Sequence, residues 1–325
     1  MLAIAPLPAP PASIPSPSRN AWHLGPFSLR AYALCILAGV FIAVWWTSRR
    51  YRARGGDGDT VLDVAVLSVP VGILGARLYH VITSPDAYFG PGGDPVRIVQ
   101  IWRGGLGIWG GVAAGLAAAA WLMRRRGLRL APLTDAVAPA LLVAQAVGRV
   151  GNWFNQELFG APTTLPWGLE IDDAHLPDGC APGTLFHPTF LYEALWNLAG
   201  AALLVLLERR LRRRDGTTGG RLIWAYLMVY TAGRAWIEHL RVDEAAIVLG
   251  LRLNEWTAMI VFLVGLVGFV AAGRRGADDA IAVGPAPDPA DAGSDDEDRH
   301  ATLDGPNGDT EGGSGDDDRA RSANG

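Results

Sequence analysis

The sequence predicts an all-α integral membrane protein with seven transmembrane helices, its N-terminus outside and its C-terminus in the cytoplasm. Three observations support this prediction: an apolar composition, seven apolar runs, and an uneven distribution of arginine between the loops. Half of the 325 residues are hydrophobic and 18% are charged, whereas soluble domains carry about 25% charged residues. Mean hydropathy is +0.20, so the membrane class is considered first.

The apolar runs have the length that a membrane demands. A bilayer core is about 30 Å thick and is crossed by a helix of about 20 apolar residues. Asp135 and Pro139 interrupt the fourth run, which is the weakest of the seven. The predicted spans are residues 31–48, 61–82, 106–123, 131–147, 189–207, 222–240 and 256–272.

Arginine placement predicts the orientation of these spans, because cytoplasmic loops carry an excess of basic residues. All 28 basic residues are arginines. Sixteen of them lie between spans one and two, three and four, five and six, or after span seven. The opposite loops hold only Arg19, Arg30, Arg97, Arg103, Arg241 and Arg252. Seven alternating spans therefore place the N-terminus outside.

Three domains follow from composition. Residues 1–24 are Pro-rich and are predicted to be disordered. Residues 25–275 form the seven-helix membrane domain. Residues 276–325 contain fourteen acidic residues and three arginines, a net charge of −11. Such a segment has too few apolar groups to offset chain entropy, so it is predicted to be a disordered cytoplasmic tail.

Polar residues converge at the outer ends of the spans. Arg77, Arg149 and Arg234 lie in or at the end of a span, where an unpaired charge costs about 2.5–3.5 kcal/mol. In span six, Tyr230, Arg234, Glu238 and Arg241 follow the spacing of one helical stripe. If the fourth helix continues past Gly151, a second stripe contains Arg149, Asn152 and Gln156.

Arginine forks bind phosphate through two parallel hydrogen bonds, and at the outer leaflet the simplest phosphate is a phospholipid headgroup. Structural interpretations stand beside this one. Arg234 and Glu238 can form an ion pair that holds the bundle, and Arg30 and Arg252 can be anchors that reach the membrane interface. Read alone, His187 is a packing or interface residue. Hydrogen bonding between helices would equally explain Asp135, Tyr192 and Glu193.

The segment Gly148–Gly160, "GRVGNWFNQELFG", resembles the signature of prolipoprotein diacylglyceryl transferases, Gly-Arg-x-Gly-Asn-Phe-x-Asn-x-Glu-x-x-Gly. It departs only at Trp153, which replaces the usual phenylalanine. Further matches are "LRAYAL", "GGLGIWGG", "LTDAVAP", "HPTFLYE" and "YTAGRAWIEHLR". The resemblance covers about Leu29 to Ala272 and leaves out both tails.

The resemblance implies a multi-pass enzyme of the bacterial cytoplasmic (inner) membrane, with an active site that faces the outer leaflet. It would transfer the diacylglyceryl group of phosphatidylglycerol to the thiol of the lipobox cysteine in a prolipoprotein signal peptide. Glycerol 1-phosphate would leave. Because the substrate supplies the nucleophile, neither cysteine of this chain needs a catalytic role. The resemblance implies no metal, no cofactor and no nucleic-acid partner; the partners are the two substrates and membrane lipid.

The motifs and the chemistry together predict the site. The expected catalytic residues are Arg149, Arg234, Glu238 and His187. Cationic donors would stabilise the negative charge that develops on the departing phosphate. The expected phosphatidylglycerol-binding residues are Tyr32, Arg77, Trp109, Arg149, Asn152, Asn155, Glu157, Gly160, Tyr192, Glu193, Tyr230 and Arg241.

Trp109 raises the question of how the substrate thiol is activated. Better-known members of the family carry a histidine at this position, with the role of a base, and an indole cannot accept a proton. Either His187 or Glu238 acts as the base, or the arginines activate the thiol electrostatically. We favour activation by the arginines. Two non-enzymatic alternatives remain: a lipid-binding or flippase-like protein, and a transporter of an anionic solute.

Overall fold

The computed structural model describes residues 13–24, 27–241, 247–275 and 280–281. This part of the chain is a helical bundle with three small antiparallel hairpins. Its helices are α1 (Ala31–Arg52), α2 (Gly58–Thr83), α3 (Asp86–Phe89), α4 (Ile108–Arg125), α5 (Leu130–Asn155), α6 (Thr189–Asp215), α7 (Arg221–Leu240) and α8 (Leu253–Arg274). Its strands are β1 (Ala21–Leu24), β2 (Phe27–Arg30), β3 (Leu169–Glu170), β4 (Leu185–Phe186), β5 (Ile247–Val248) and β6 (Leu251–Arg252).

Each of the seven apolar runs coincides with one long helix, and α3 is a single short turn between α2 and α4. By length and hydropathy, five helices of the described chain qualify to cross a membrane: α1, α2, α5, α6 and α8. Helices α4 and α7 fall outside this group; α4 ends in two arginines, and α7 contains Arg234 and Glu238. The chain is therefore a helical membrane protein.

The bundle is held together by pairs of neighbouring helices. Helix α1 packs along α5, α2 along α4 and α7 along α8, and α6 contacts both α5 and α7. The largest buried cluster joins α5, α6 and α7 through Leu142, Leu204, Leu222 and their neighbours. The three helices that carry most of the predicted site thus share one core, which fixes their relative positions.

Helix α5 continues to Asn155, beyond the predicted end at Val147. Its extra turns hold the first half of the "GRVGNWFNQELFG" segment. Gly151 lies against α1, where a Cβ atom would approach the Tyr32 Cδ2 atom to 2.8 Å. The glycine therefore allows α1 and α5 to approach closely, and the extended helix carries Arg149 and Asn152 on consecutive turns.

Asp135 joins α5 to the beginning of α7. Its carboxylate is fully buried and accepts hydrogen bonds from the backbone N–H groups of Gly220 and Leu222, each at 2.9 Å. The first N–H groups of a helix have no partner within the helix, so a distant carboxylate takes the place of a local N-cap. This confirms the interpretation of Asp135 as a residue that links helices.

Asp135→Ala is expected to destabilise the protein by about 1–3 kcal/mol, because two buried N–H groups lose their acceptors. The measurement is the midpoint of thermal unfolding in lipid-containing detergent. The control is Asp63→Ala, which breaks an exposed ion pair with Arg126. The side chain of Asp63 is 49% exposed and that of Arg126 is 38% exposed. Equal effects of the two substitutions would contradict the capping role.

The N-terminal prediction needs a correction. No structure was expected for residues 1–24, but part of this segment is ordered. Ala21–Leu24 forms strand β1, which pairs with β2, and Ile14 forms a parallel bridge with Leu169. The long-range contact could not be predicted, because the Pro-rich composition carries no periodic pattern. Residues 1–12 lie outside the described chain, as does the predicted acidic tail except Ala280 and Ile281.

Candidate active site

Glu193 links two of the predicted catalytic arginines. This residue lies in the second turn of α6, and its carboxylate uses one oxygen for each partner. Its Oε2 atom lies 2.6 Å from Nη2 of Arg149, on α5. Its Oε1 atom lies 3.2 Å from Nη1 of Arg234, on α7. The side chain of Glu193 is 6% exposed, whereas each arginine side chain is 20% exposed. The carboxylate is thus buried behind two guanidinium groups that retain some open surface.

Glu238 forms a second centre, one turn along α7 from Arg234. Its Oε2 atom accepts a hydrogen bond from Nη2 of Arg234 at 2.6 Å and lies 3.9 Å from Nη1 of Arg241. Its Oε1 atom accepts from Nδ2 of Asn254 at 2.9 Å and lies 3.5 Å from Nη1 of Arg252. The side chain of Glu238 is 1% exposed. Both oxygens are therefore engaged by cationic or amide donors.

The amides of the signature segment extend this network on the side of α5. Arg149 donates to Oδ1 of Asn152 at 3.4 Å. Asn152 and Asn155 both donate to Oε1 of Glu157, at 2.8 and 3.1 Å. Amide and guanidinium groups from one helix end are thereby held in one connected arrangement, as the spacing of Arg149 and Asn152 predicted.

We call this arrangement the arginine network: Arg149, Arg234, Arg241 and Arg252, with Glu193, Glu238, Asn152, Asn155, Glu157 and Asn254. Its four arginines contact two glutamates, and the side chains of Arg149 and Arg234 each keep 20% of their surface exposed. Cationic donors that are fixed by carboxylates and still partly exposed are suited to an anionic ligand.

His187 lies apart from the arginine network, in contact with aromatic residues. It immediately precedes Pro188 at the start of α6, as predicted. Its Nδ1 atom lies 3.3 Å from the hydroxyl oxygen of Tyr192, which also accepts a hydrogen bond from Nε1 of Trp167 at 3.1 Å. The Tyr192 ring stacks on Trp236 with centroids 6.2 Å apart. No hydrogen bond joins His187 to an arginine in the described part of the chain.

His187→Ala is expected to lower kcat less than about tenfold, because the ring contacts Tyr192 and not the arginine network. Loss of a general base costs about 100- to 10,000-fold. The measurement is the rate of product formation at saturating lipid over a range of pH. A loss of about 100-fold with normal lipid binding would assign proton transfer to His187.

Arg77 is placed differently from the prediction. It is buried and donates to the carbonyl oxygens of Ile98, Gly104 and Gly105, at 2.9, 2.7 and 2.8 Å, as well as to that of Arg97. Its guanidinium group also lies over the Tyr88 ring, 5.2 Å from the centroid. The guanidinium is occupied by the backbone of the loop after α3. Arg77 therefore organises this loop through four carbonyl oxygens, and its contact with a lipid headgroup stays a prediction.

Four other predicted residues make no hydrogen bond to the network in the described chain. Tyr32 packs against Gly151 at the start of α1, and Tyr230 stacks on Tyr226 with centroids 5.9 Å apart. Trp109 is 52% exposed on α4. Gly160 has a structural position, because a Cβ atom there would lie 2.8 Å from His187 Cβ and 2.9 Å from the Leu240 carbonyl oxygen.

Two interpretations of single residues were wrong. Gln156 ends the helix in the left-handed region of backbone conformation, with φ 52°. Its Nε2 atom donates to the Asp172 carboxylate at 2.5 Å, and its Oε1 atom accepts from the Asp172 backbone N–H at 2.8 Å. It therefore leaves the stripe of Arg149 and Asn152. Arg252, interpreted as an interface anchor, belongs to the arginine network, and sequence analysis missed Asn254 entirely. The only sequence feature that pointed to the site was their position: both residues lie at the start of α8, the helix that follows α7.

The fold and the site together define a class: a helical membrane protein whose bundle holds a polar cluster of arginines, carboxylates and amides that can bind an anionic group. The sequence profile of the prolipoprotein diacylglyceryl transferase family matches residues 19–271. The chain belongs to this family, as the signature segment predicted.

Named relatives agree with the profile. The chain is 53% identical over 265 residues to phosphatidylglycerol–prolipoprotein diacylglyceryl transferase 2 of Streptomyces coelicolor, covering 81% of this chain and 82% of that protein. It is 52% identical over 276 residues to the phosphatidylglycerol–prolipoprotein diacylglyceryl transferase of Bifidobacterium adolescentis, with 82% and 81% covered. The Rhodococcus jostii protein of the same name is 50% identical over 288 residues, with 85% and 79% covered. The predicted enzyme class, a transferase, is confirmed.

Proposed function

We propose that this protein transfers the diacylglyceryl group of phosphatidylglycerol to the thiol of the lipobox cysteine of a prolipoprotein and releases glycerol 1-phosphate. The names of the relatives supply both substrates. The observation that carries the proposal is the pair of arginines held by one carboxylate, Arg149 and Arg234 on Glu193. These groups suit the phosphate that changes charge in the reaction.

The reaction requires stabilisation of a leaving group. The sulfur forms a bond to the terminal glycerol carbon of the diacylglyceryl group, and the bond between this carbon and the phosphate oxygen breaks. The phosphodiester carries one negative charge and the departing monoester gains a second one, which the thiol proton can neutralise. Donors fixed before the reaction stabilise developing charge most effectively. Glu193 and Glu238 fix Arg149 and Arg234 for this purpose.

We propose that the thiol is activated electrostatically. A thiol has an ordinary pKa of about 8.5, and nearby positive charge favours the thiolate. Both oxygens of Glu238 already accept hydrogen bonds from Arg234 and Asn254, so this carboxylate is engaged by donors of the protein itself. His187 contacts Tyr192. These contacts support the arginines over either residue as the agent of activation.

We propose further that the membrane domain of residues 25–275 crosses the bacterial cytoplasmic membrane seven times and exposes the site to the outer leaflet. Helices α4 and α7 would cross as partners of α2 and α8, against which they pack. The polar groups of α7 are paired within the arginine network, which lowers the cost of burying them in the membrane. The acidic tail of residues 276–325 would lie in the cytoplasm.

The native Cys180 offers a test of this orientation, since it lies in the loop between α5 and α6. In intact spheroplasts of a Cys35→Ala variant, a membrane-impermeant maleimide is expected to label Cys180. The matched control is Arg214→Cys in a variant without both native cysteines, because the Arg214 side chain is 82% exposed at the opposite end of α6. Labelling of the control before cell lysis, with Cys180 protected, would reverse the orientation.

The function is tested with purified protein in vesicles that contain phosphatidylglycerol labelled in its headgroup, together with a lipobox peptide. The expected result is a thioether-linked lipopeptide and glycerol 1-phosphate in equal amounts. A peptide with serine in place of the acceptor cysteine is the control and should give neither product. Lipid binding without a thioether product would support the non-enzymatic alternatives.

A further inference from the structure

An extended piece of the chain, residues 13–17, lies along the free edge of strand β3. Ile14 donates its N–H to the Gly168 carbonyl oxygen at 2.9 Å, and the Glu170 N–H donates to the Ile14 carbonyl oxygen at 2.9 Å. This is the pattern of a parallel ladder beside the β3–β4 hairpin. The segment thus adds a short third strand to that sheet.

Side chains complete the contact. Ile14 packs against a small buried cluster formed by Leu169, Ile171 and Phe186. The Ser16 hydroxyl donates to the Glu170 carbonyl oxygen at 2.5 Å, and the Ser13 hydroxyl donates to the Glu170 carboxylate. One apolar side chain packs against the buried cluster, and the flanking serine residues form hydrogen bonds with Glu170.

The same segment touches the signature residues at the end of α5. Nε1 of Trp153 donates to the Pro15 carbonyl oxygen at 3.2 Å, and Nε2 of Gln156 donates to the Pro17 carbonyl oxygen at 3.4 Å. Trp153 directly follows Asn152, which accepts a hydrogen bond from Arg149. The strand edge therefore begins beside the arginine network.

The hydrogen bonds at this edge mostly involve main-chain groups of the docked segment, so they depend little on its side chains. Gly168 supplies an acceptor and Glu170 a donor through the main chain, and Trp153 and Gln156 donate to carbonyl oxygens. Strand addition to a sheet edge obtains affinity from main-chain hydrogen bonds and specificity from pockets for alternate side chains. An extended peptide with one apolar side chain at the right position would make the same contacts.

We propose that the edge of β3 is the docking site for the extended segment that follows the acceptor cysteine in a prolipoprotein, and that residues 13–17 are an internal competitor for it. This inference rests on the proposed function. The apolar part of a signal peptide occupies the membrane, and its cysteine must reach the arginine network. The residues after the cysteine then emerge beside Trp153 and β3. Backbone recognition at this edge allows one enzyme to accept many prolipoproteins.

The first test removes a hydrogen bond from the competitor and leaves the edge intact. Ile14→Pro in the full chain deletes the N–H that Gly168 accepts. The KM for a lipobox peptide with several residues after the cysteine is expected to fall about three- to tenfold, from the loss of one main-chain hydrogen bond, with kcat unchanged. Ser18→Pro, at an exposed position directly after this segment, is the matched control and should leave KM unchanged.

The second test uses the unaltered protein and modified peptides. Peptides N-methylated at each of the residues after the cysteine lose one main-chain donor at a time and keep their side chains. Neighbouring N–H groups of a strand point in opposite directions, so KM should rise at alternate positions and stay constant at the others. A peptide that ends at the cysteine should have the highest KM of the series.

The outcomes are separable. A KM that no N-methylation and no shortening changes, with normal product formation, would overturn the docking site. If Ile14→Pro lowers kcat and thermal stability and leaves KM unchanged, residues 13–17 are only a structural strand. If no peptide yields a thioether product with any protein, the proposed function fails first.

Discussion

Arg149→Ala is expected to lower kcat for diacylglyceryl transfer by at least about 100-fold, the effect of removing one fixed donor from developing negative charge. Arg149 contacts both Glu193 and Asn152, at 2.6 and 3.4 Å, and α5 contains no other basic residue that could replace it. Arg149→Lys should fail as well. An ammonium group lacks the planar fork with which a guanidinium group binds a phosphate through two parallel hydrogen bonds. The measurement is the single-turnover rate in vesicles at saturating phosphatidylglycerol.

Stability should change little in this variant, since Glu193 keeps Arg234 as a partner at 3.2 Å. The control is Arg97→Ala, which removes an arginine from an exposed ion pair with Asp94, with side-chain exposures of 52% and 45%. It should retain the full rate. A fully active Arg149→Ala enzyme would remove this residue from the mechanism.

Glu238→Ala is expected to have the largest effect on stability. Its buried carboxylate faces Arg234, Arg241 and Arg252, and removing one partner from a buried ion pair costs about 3–5 kcal/mol. We expect a lower midpoint of thermal unfolding in lipid-containing detergent and little active protein.

Glu238→Gln separates charge from shape at the same position. The amide retains an oxygen that can accept from Asn254 but cannot neutralise Arg234. Its thermal midpoint should lie between those of the parent and of Glu238→Ala. An alanine variant as stable as the parent would contradict the central position of Glu238 in the arginine network.

Local sequence patterns predicted the helices and the motif that carries the site. Hydropathy located seven runs because each helix needs an apolar surface of its own, whatever its neighbours are. The spacing of Arg149 and Asn152, and of Arg234 and Glu238, was sufficient to place each pair on one helix face. The structure agrees on both pairs.

Contacts between distant segments could not be predicted in the same way. Arg77 resembles Arg149 in the sequence, yet four carbonyl oxygens of a later loop occupy it. The Pro-rich composition around Ile14 indicated disorder, but pairing with β3 depends on a strand about 150 residues away. Arg252 joins Glu238 only because α8 packs against α7. Each error concerns a partner that local periodicity does not encode.

The central claim is that Arg149 and Arg234, joined by Glu193, act as one unit on the phosphate of phosphatidylglycerol. A double-mutant cycle tests it most directly, with the release of labelled glycerol 1-phosphate measured for Arg149→Ala, Arg234→Ala and the double variant. Residues that act as a unit are strongly non-additive. The account predicts that the double variant is no more than about threefold slower than the slower single variant, as strong coupling requires. A double variant whose loss equals the product of the two single losses, or a single variant with the full rate, would contradict the claim.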